Sequence, residues 1–230
     1  MKIIFSPKCL EYEQVGHPES SERVRKSCEF LKKKDFEFVE ADLVKEEDIL
    51  RVHSKEHLES VRKGDFFNLD SPVYENVFYY VGLSAGAAVK AMEIALNGEN
   101  SFSLLRPPGH HAFDRPEGFC YFNNLAIAVA KALELDKKVA IVDFDLHHGN
   151  GTQNIFLGKE NVLFVSLHRL GIYPGTGETS EKNCYNFGFL KSVVGEEYLE
   201  TLKKSLEIVK KFNPDLIAVS AGFDSYKDSE

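Results

Sequence analysis

The reading of the fold turns on "VAIVDFDLHHGNG", residues 139–151. Four apolar residues, Val139 to Val142, lead into Asp143 and Asp145. His147 and His148 follow, and then Gly149, Asn150 and Gly151. A run that is apolar on both faces is how a strand reads when helices cover both sides of a parallel sheet. In an extended chain, residues 143, 145 and 147 point to the same side. Two carboxylates and an imidazole on one side suit a hard-to-borderline cation. A single Asp at a strand end usually caps the next helix, and a lone His is usually an ordinary polar residue. Asp143, Asp145, His147 and His148 packed into six residues are different. Buried without a cation, they leave unpaired polar groups at a cost of several kcal/mol, roughly.

The same pattern recurs outward from this stretch. Short apolar runs predict strands near residues 2–6, 36–41, 102–107, 162–168 and 215–222. Helical spacing predicts helices over 20–33, 75–98, 123–135 and 196–212. Ser21 stands before the first and Asn123 before the third as caps, and Gly98 ends the second. In the last, Leu199, Leu202, Leu206 and Val209 form one stripe with lysines opposite. The strands at 139–144, 162–168 and 215–221 read as buried on both faces. Alternating strands and helices predict a doubly wound α/β architecture, whose ligands gather beyond the carboxyl ends of the strands. The residues with ligand chemistry sit at those ends, in "RPPGHHA", "DFDLHHGNG", "SLHR" and "AGFD".

The chain has 230 residues, 43% hydrophobic and 28% charged, with a net charge of −8. That supports one domain with a real core. The acidity argues against a nucleic-acid surface. No stretch approaches 18 consecutive apolar residues, so no membrane span is expected, and the N-terminal apolar run is too short for a signal peptide. Cys9, Cys28, Cys120 and Cys184 are far apart, as in a reduced cytoplasmic protein.

A catalytic zinc takes about three protein ligands and keeps a position open. Asp145 and His147 can supply two, and Asp224, closing "VSAGFD", is the best candidate for the third. In "RPPGHHAF", two prolines fix the backbone and Gly109 permits a tight turn, so His110 and His111 leave in different directions. They read as a second metal site, as a general base beside the metal, or as surface residues of a loop. A general base needs partners that set its tautomer, and Asp143 and Asn150 are left over for that role.

Taken together, "GHPESSERV", "VHSKEHLESV", "RPPGHHA", "GFCYFNN", "DFDLHHGNG", "VSLHR", "YPGTGE" and "SAGFD" resemble the zinc-dependent histone deacetylase superfamily, which includes acetylpolyamine amidohydrolases and acetoin-utilisation proteins. Asn150 is similar to the class II and bacterial branch. The resemblance implies an arginase-like three-layer α/β fold with a mostly parallel central sheet, one domain over residues 1–230, and hydrolysis of N-acetyl amides such as acetyl-lysine or acetylpolyamine. It implies one Zn2+ per chain on Asp145, His147 and Asp224. His110 and His111 become the proton-transfer pair, hydrogen-bonded to Asp143 and Asn150 respectively. Phe119 and Tyr173 become the walls of an acyl-lysine tunnel that Gly118 also lines. A monovalent cation, K+, falls to Asp143, Asp145, His147, Ser166 and Leu167. Without the resemblance, Phe119 and Tyr173 read as ordinary core residues. A homo-oligomer stays open.

One feature departs from the family pattern. The family's oxyanion-donating tyrosine lies in a Gly-rich loop beyond the last central strand, and this sequence ends six residues past Asp224. The expectation is therefore a C-terminally incomplete family domain with unpaired apolar strand edges. It would be a fragment, completed by a partner chain, or a catalytically weak zinc- and acyl-binding domain.

Overall fold

The computed structural model describes residues 1–226. The chain divides into two compact units, Met1–Lys131 and Ala132 onward, and each is described by itself.

In the first unit, β1 (Lys2–Ile4) pairs in parallel with β2 (Glu37–Val39) on one side and β3 (Ser101–Ser103) on the other. Successive strand residues point to opposite faces, and β1 shows what each face meets. Ile3 enters a cluster with Phe5, Cys9, Val24, Cys28 and Leu104, on the side of helix α1 (Glu22–Leu31). Ile4 enters another with Ala41, Leu83 and Ala87, on the side of helix α4 (Val77–Leu96). Helices thus cover both faces, as the apolar strands required. A 3-10 turn (Pro7–Leu10) precedes α1, and the short helices α2 (Glu46–Ile49) and α3 (Lys55–Lys63) come between α1 and α4. The α3 helix carries its own signals: the Ser54 hydroxyl accepts the His57 N–H at 3.1 Å, and Gly64 closes it at φ +65°.

Helix α5 (Asn124–Leu133) starts as the sequence suggests, with the Asn123 side-chain oxygen accepting the Ala126 N–H at 3.1 Å. Ser21 does not cap α1. Its backbone N–H goes to the Glu13 carboxylate instead, at 3.2 Å.

In the second unit, four strands run in parallel in the order β6 (Cys184–Phe189), β5 (Val162–Arg169), β4 (Val139–Asp143), β7 (Leu216–Ser220). Helix α7 (Gly195–Phe212) covers the face that carries Ala140, Val142, Leu163, Val165 and Leu167. It docks through Leu202 and Val209, with Ser205 buried between them. Leu199 and Leu206 are 52% and 43% exposed, so the docking stripe keeps Leu202 and Val209 of the expected one and is rotated toward Ser205. Helix α6 (Asn150–Phe156) follows the His147–His148 pair directly and packs on β5.

Strands β4 and β5 are buried throughout, apart from Arg169, but β7 is not. Ile217 and Val219 pair in register with Ala140 and Val142, so they share the α7 face, yet they are 54% and 47% exposed. Two-sided burial fails there because β7 is an edge strand whose one partner among the described residues is β4. Among the described residues each unit has one parallel sheet, of three and four strands respectively. No helix among the described residues is long and apolar enough to cross a membrane.

Candidate metal centre and tandem-histidine loop

Strand β4 ends at Asp143, and the chain then turns instead of staying extended. The reason is local. The Asp145 N–H donates to Asp143 Oδ1 at 3.1 Å, and the His147 N–H donates to Asp145 Oδ1 at 2.8 Å. Each aspartate holds the backbone two residues on, which is an Asx turn. The two-residue spacing thus works through side-chain–backbone bonds rather than strand alternation.

The loop after β7 brings Asp224 to the same place. Its Oδ1 accepts the Leu146 N–H at 2.9 Å, which leaves Oδ2 2.9 Å from His147 Nδ1. Asp145 Oδ1 lies 3.1 Å from the same nitrogen. The ligand atoms of Asp145, His147 and Asp224 all fall within 4.8 Å of one another. The two carboxylates raise the His147 imidazolium to about 9, so His147 holds its proton between them. A tetrahedral zinc with bonds of about 2.0–2.2 Å keeps its ligand atoms about 3.4 Å apart. The donor set fits such an ion in place of that proton after a slight opening.

Gly222 is required for this arrangement. A Cβ there would stand 2.0 Å from Asp145 Oδ2 and 2.6 Å from the Asp145 Cα. Gly222→Ala is expected to displace Asp145 and weaken zinc binding at least tenfold while the circular dichroism spectrum is kept; competition with a chromophoric chelator measures it.

Asp143 and Ser166 are in register on β4 and β5, and both are fully buried, as is Leu167 to within 1%. The Ser166 hydroxyl bonds His168 Nδ1 at 2.9 Å. Asn150 opens α6. Tyr173 is 39% exposed, with its ring centroid 6.1 Å from that of His147, so it is not a core residue.

His110 and His111 belong to the first unit. Both are buried, at 7% and 5% exposure, and their ring centroids are 4.0 Å apart, so they are not surface residues of a loop. Their loop is held along its length. Ser84 Oγ and Asn124 Nδ2 donate to the Pro107 carbonyl at 2.9 and 3.0 Å. The Asn123 amide reaches the Ala112 carbonyl at 3.3 Å. His53 Nε2 accepts the Asn123 N–H at 2.9 Å, so its Nδ1 carries the proton and donates to the Phe113 carbonyl at 2.6 Å. Burial lowers the His53 pKa to about 3, which keeps this tautomer neutral.

Ahead of the prolines, Arg106 is 2% exposed and uses all five of its N–H groups. Three reach the Glu19 carboxylate and carbonyl through Nε and Nη2, and two reach the Cys9 and Tyr12 carbonyls. Its guanidinium also lies 3.8 Å from the Tyr12 ring centroid. Sequence reasoning assigned no role to Arg106, Glu19 or His53, although each stands inside a quoted motif.

Gly118 and Phe119 occupy the two central positions of a tight hairpin closed by Glu117 and Cys120, at φ +54° and +70°. Such a turn favours Gly or Asn. A bulky aromatic held at positive φ marks a place where the side chain matters more than backbone ease. Phe119 is half-buried, beside His17 and Arg23, and is not a core residue either.

Parallel sheets with carboxylates and imidazoles near their carboxyl ends define an α/β protein of the kind that binds ligands at those ends. The chain matches the histone deacetylase domain over residues 17–230. It is 38% identical to a probable deacetylase of Methanothermobacter thermautotrophicus, over 99% of this chain and 75% of that protein. It is 35% identical to a probable deacetylase of Archaeoglobus fulgidus, over 97% and 69% respectively. With a histone deacetylase-like amidohydrolase of Pseudomonas aeruginosa it shares 35% identity, over 92% of this chain and 62% of the other. The crystal structure of the HDA15 HD domain superposes on the whole chain with a TM-score of 0.94 at 31% identity, and the chain covers 76% of it. This chain belongs to the histone deacetylase family, with that family's α/β fold and, at family level, its deacetylase or amidohydrolase function.

Proposed function

We propose that the chain is a zinc-dependent amidohydrolase that removes acetyl or related acyl groups from an N-acylated amine such as acetyl-lysine or acetylpolyamine. The observation that carries the reading is the convergence of Asp145, His147 and Asp224 on one point, in a chain of the deacetylase family. One zinc per chain would be held there. Such an ion supplies Lewis acidity for an amide carbonyl and acidifies a water toward a pKa of about 7.

The residues do the rest. Backbone N–H groups of Leu146 and His147 anchor Asp224 and Asp145, so each carboxylate meets the cation already oriented. His147 gives up its Nδ1 proton to bind. Proton transfer falls to His110 and His111. When one of two imidazoles 4.0 Å apart holds a proton, protonation of the other is disfavoured, which suits an acid and a base working in turn. Asp143 and Asn150 belong to the same catalytic set. Gly118, Phe119 and Tyr173 bind the acyl-amine chain, and their aromatic exposure supports that role. The buried Asp143 and Ser166, with Leu167 and the 145–147 turn, suit a K+ ion. Four buried free thiols are in keeping with a cytoplasmic setting.

Turnover of a fluorogenic acetyl-lysine peptide and of an acetylpolyamine tests the reading. The expected result is activity that a chelator removes and zinc restores, and that His111→Ala lowers by a factor of about 10² to 10⁴. Zinc-loaded chain that turns over neither substrate would leave only a binding module.

A further inference from the structure

Besides Ser166, Leu167 and Tyr173, the stretches "DFDLHHGNG", "VSLHR" and "YPGTGE" contain His148, His168, Thr176 and Gly177. The structure joins these four. His148 and His168 are each 1% exposed, and their rings lie 4.6 Å apart, tilted by 46°. His168 Nδ1 accepts the Ser166 hydroxyl at 2.9 Å, so Nε2 carries the proton and donates to the Gly177 carbonyl at 3.1 Å. His148 Nε2 lies 3.0 Å from Gln153 Oε1, which can only accept, so His148 is protonated there. Its Nδ1 is hydrogen-bonded to the Thr176 hydroxyl at 2.8 Å. Asn186 holds the same Gln153 oxygen at 2.8 Å and fixes it in turn.

Gly177 completes the fit. At φ +81° its α-carbon presses so closely on the two rings that a Cβ would stand 2.5 Å from His168 Nε2 and 2.7 Å from the His148 ring. The segment they secure is otherwise exposed, with Gly171, Tyr173, Gly175 and Thr176 all at the surface. Tyr173 nevertheless keeps its ring beside that of His147, the residue next to His148 in the chain.

We propose that His148 and His168 form a double latch that grips Thr176 and Gly177, and that this grip holds Tyr173 as a fixed wall beside His147 and so sets the length of acyl chain the site accepts. They are positioning residues and touch no substrate. The length-setting part rests on the amidohydrolase reading above; the latch itself does not.

The chain contains no tryptophan, so Tyr173→Trp gives a single reporter on the loop. In that background, Thr176→Val removes the hydroxyl at constant shape, Thr176→Ser keeps it, and Gly177→Ala inserts the clashing Cβ. Thr176→Val and Gly177→Ala are expected to red-shift the emission and lower its anisotropy, while Thr176→Ser matches the parent. Thr176→Val serves if Gly177→Ala does not fold. Unchanged emission in Thr176→Val would overturn the latch. With Tyr173 in place, Thr176→Val is expected to raise kcat/KM for a butyryl-lysine peptide relative to the acetyl one by roughly fivefold, the effect of one lost hydrogen bond. The change should lie chiefly in KM, with Thr176→Ser restoring the ratio. An unchanged ratio beside a freed loop would overturn the length-setting role. Absence of turnover in parent and variants alike contradicts the amidohydrolase reading, while the emission still decides the latch.

Discussion

Arg106→Met is expected to lower the stability of the chain by about 3–5 kcal/mol, the cost of leaving a buried charge without its partner. The loss follows from the count of bonds. Every guanidinium N–H of Arg106 is used, and the Glu19 carboxylate it leaves behind is 2% exposed. A domain of this size melts about 2–4 °C lower per kcal/mol, so Tm should fall by about 10 °C. Combining Arg106→Met with Glu19→Gln should cost less than the sum of the two single changes, because the orphaned charge goes with its partner. Thermal unfolding followed by circular dichroism measures both. A Tm within 2 °C or so of the parent would mean that Arg106 is not the anchor of the "RPPGHH" loop.

The second large effect concerns pH and the metal. His147 is held up to about 9 by Asp145 and Asp224, and metal must displace its proton. Zinc affinity is therefore expected to rise about tenfold per pH unit up to about pH 9 and to level off above it, with one proton released per ion bound below that pH. Zinc titration by calorimetry in buffers of different ionisation enthalpy reads that proton. Asp224→Asn removes one carboxylate, so the rise should level off at a lower pH.

The same shift governs the metal-free chain, with the opposite sign. A group whose pKa is raised on folding stabilises the fold fully below its unfolded value, and that stabilisation is lost as pH rises through the folded value. Metal-free protein should lose stability between about pH 6.5 and 9. The loss should be no more than about 2 kcal/mol, since the His147 side chain is 32% exposed and partly screened. Stability that rises over this window would contradict the shared proton.

Much of this was legible in the sequence because the evidence there is periodic or local. The apolar runs of β4 and β5 admit no solvent face, and burial follows. Asn123 before an apolar helix reads as a cap and is one. Asp145, His147 and Asp224 were found from donor chemistry at strand ends, and they meet. What failed depends on neighbours. Strand β6, "CYNFGF", hides because Asn186 and Gly188 break its pattern, and its place comes from pairing with β5. The exposure of Ile217 and Val219 follows from what lies beside β7, which no local pattern encodes. Of the α7 stripe, Leu202 and Val209 dock on the sheet, whereas Leu199 and Leu206 stay exposed because the helix is rotated so that Ser205 faces inward. The role of Arg106 depends on Glu19, 87 residues away in sequence, and no local pattern joins the two.

Zinc binding at equilibrium, measured by dialysis against a buffered metal pool and read by atomic emission, tests the central claim most directly. The parent chain should take up one zinc ion, and Asp145→Ala and Asp224→Ala should take up none under the same conditions. A parent that takes up no zinc, or variants that take up as much as the parent, would contradict the assignment of Asp145, His147 and Asp224 as a metal centre.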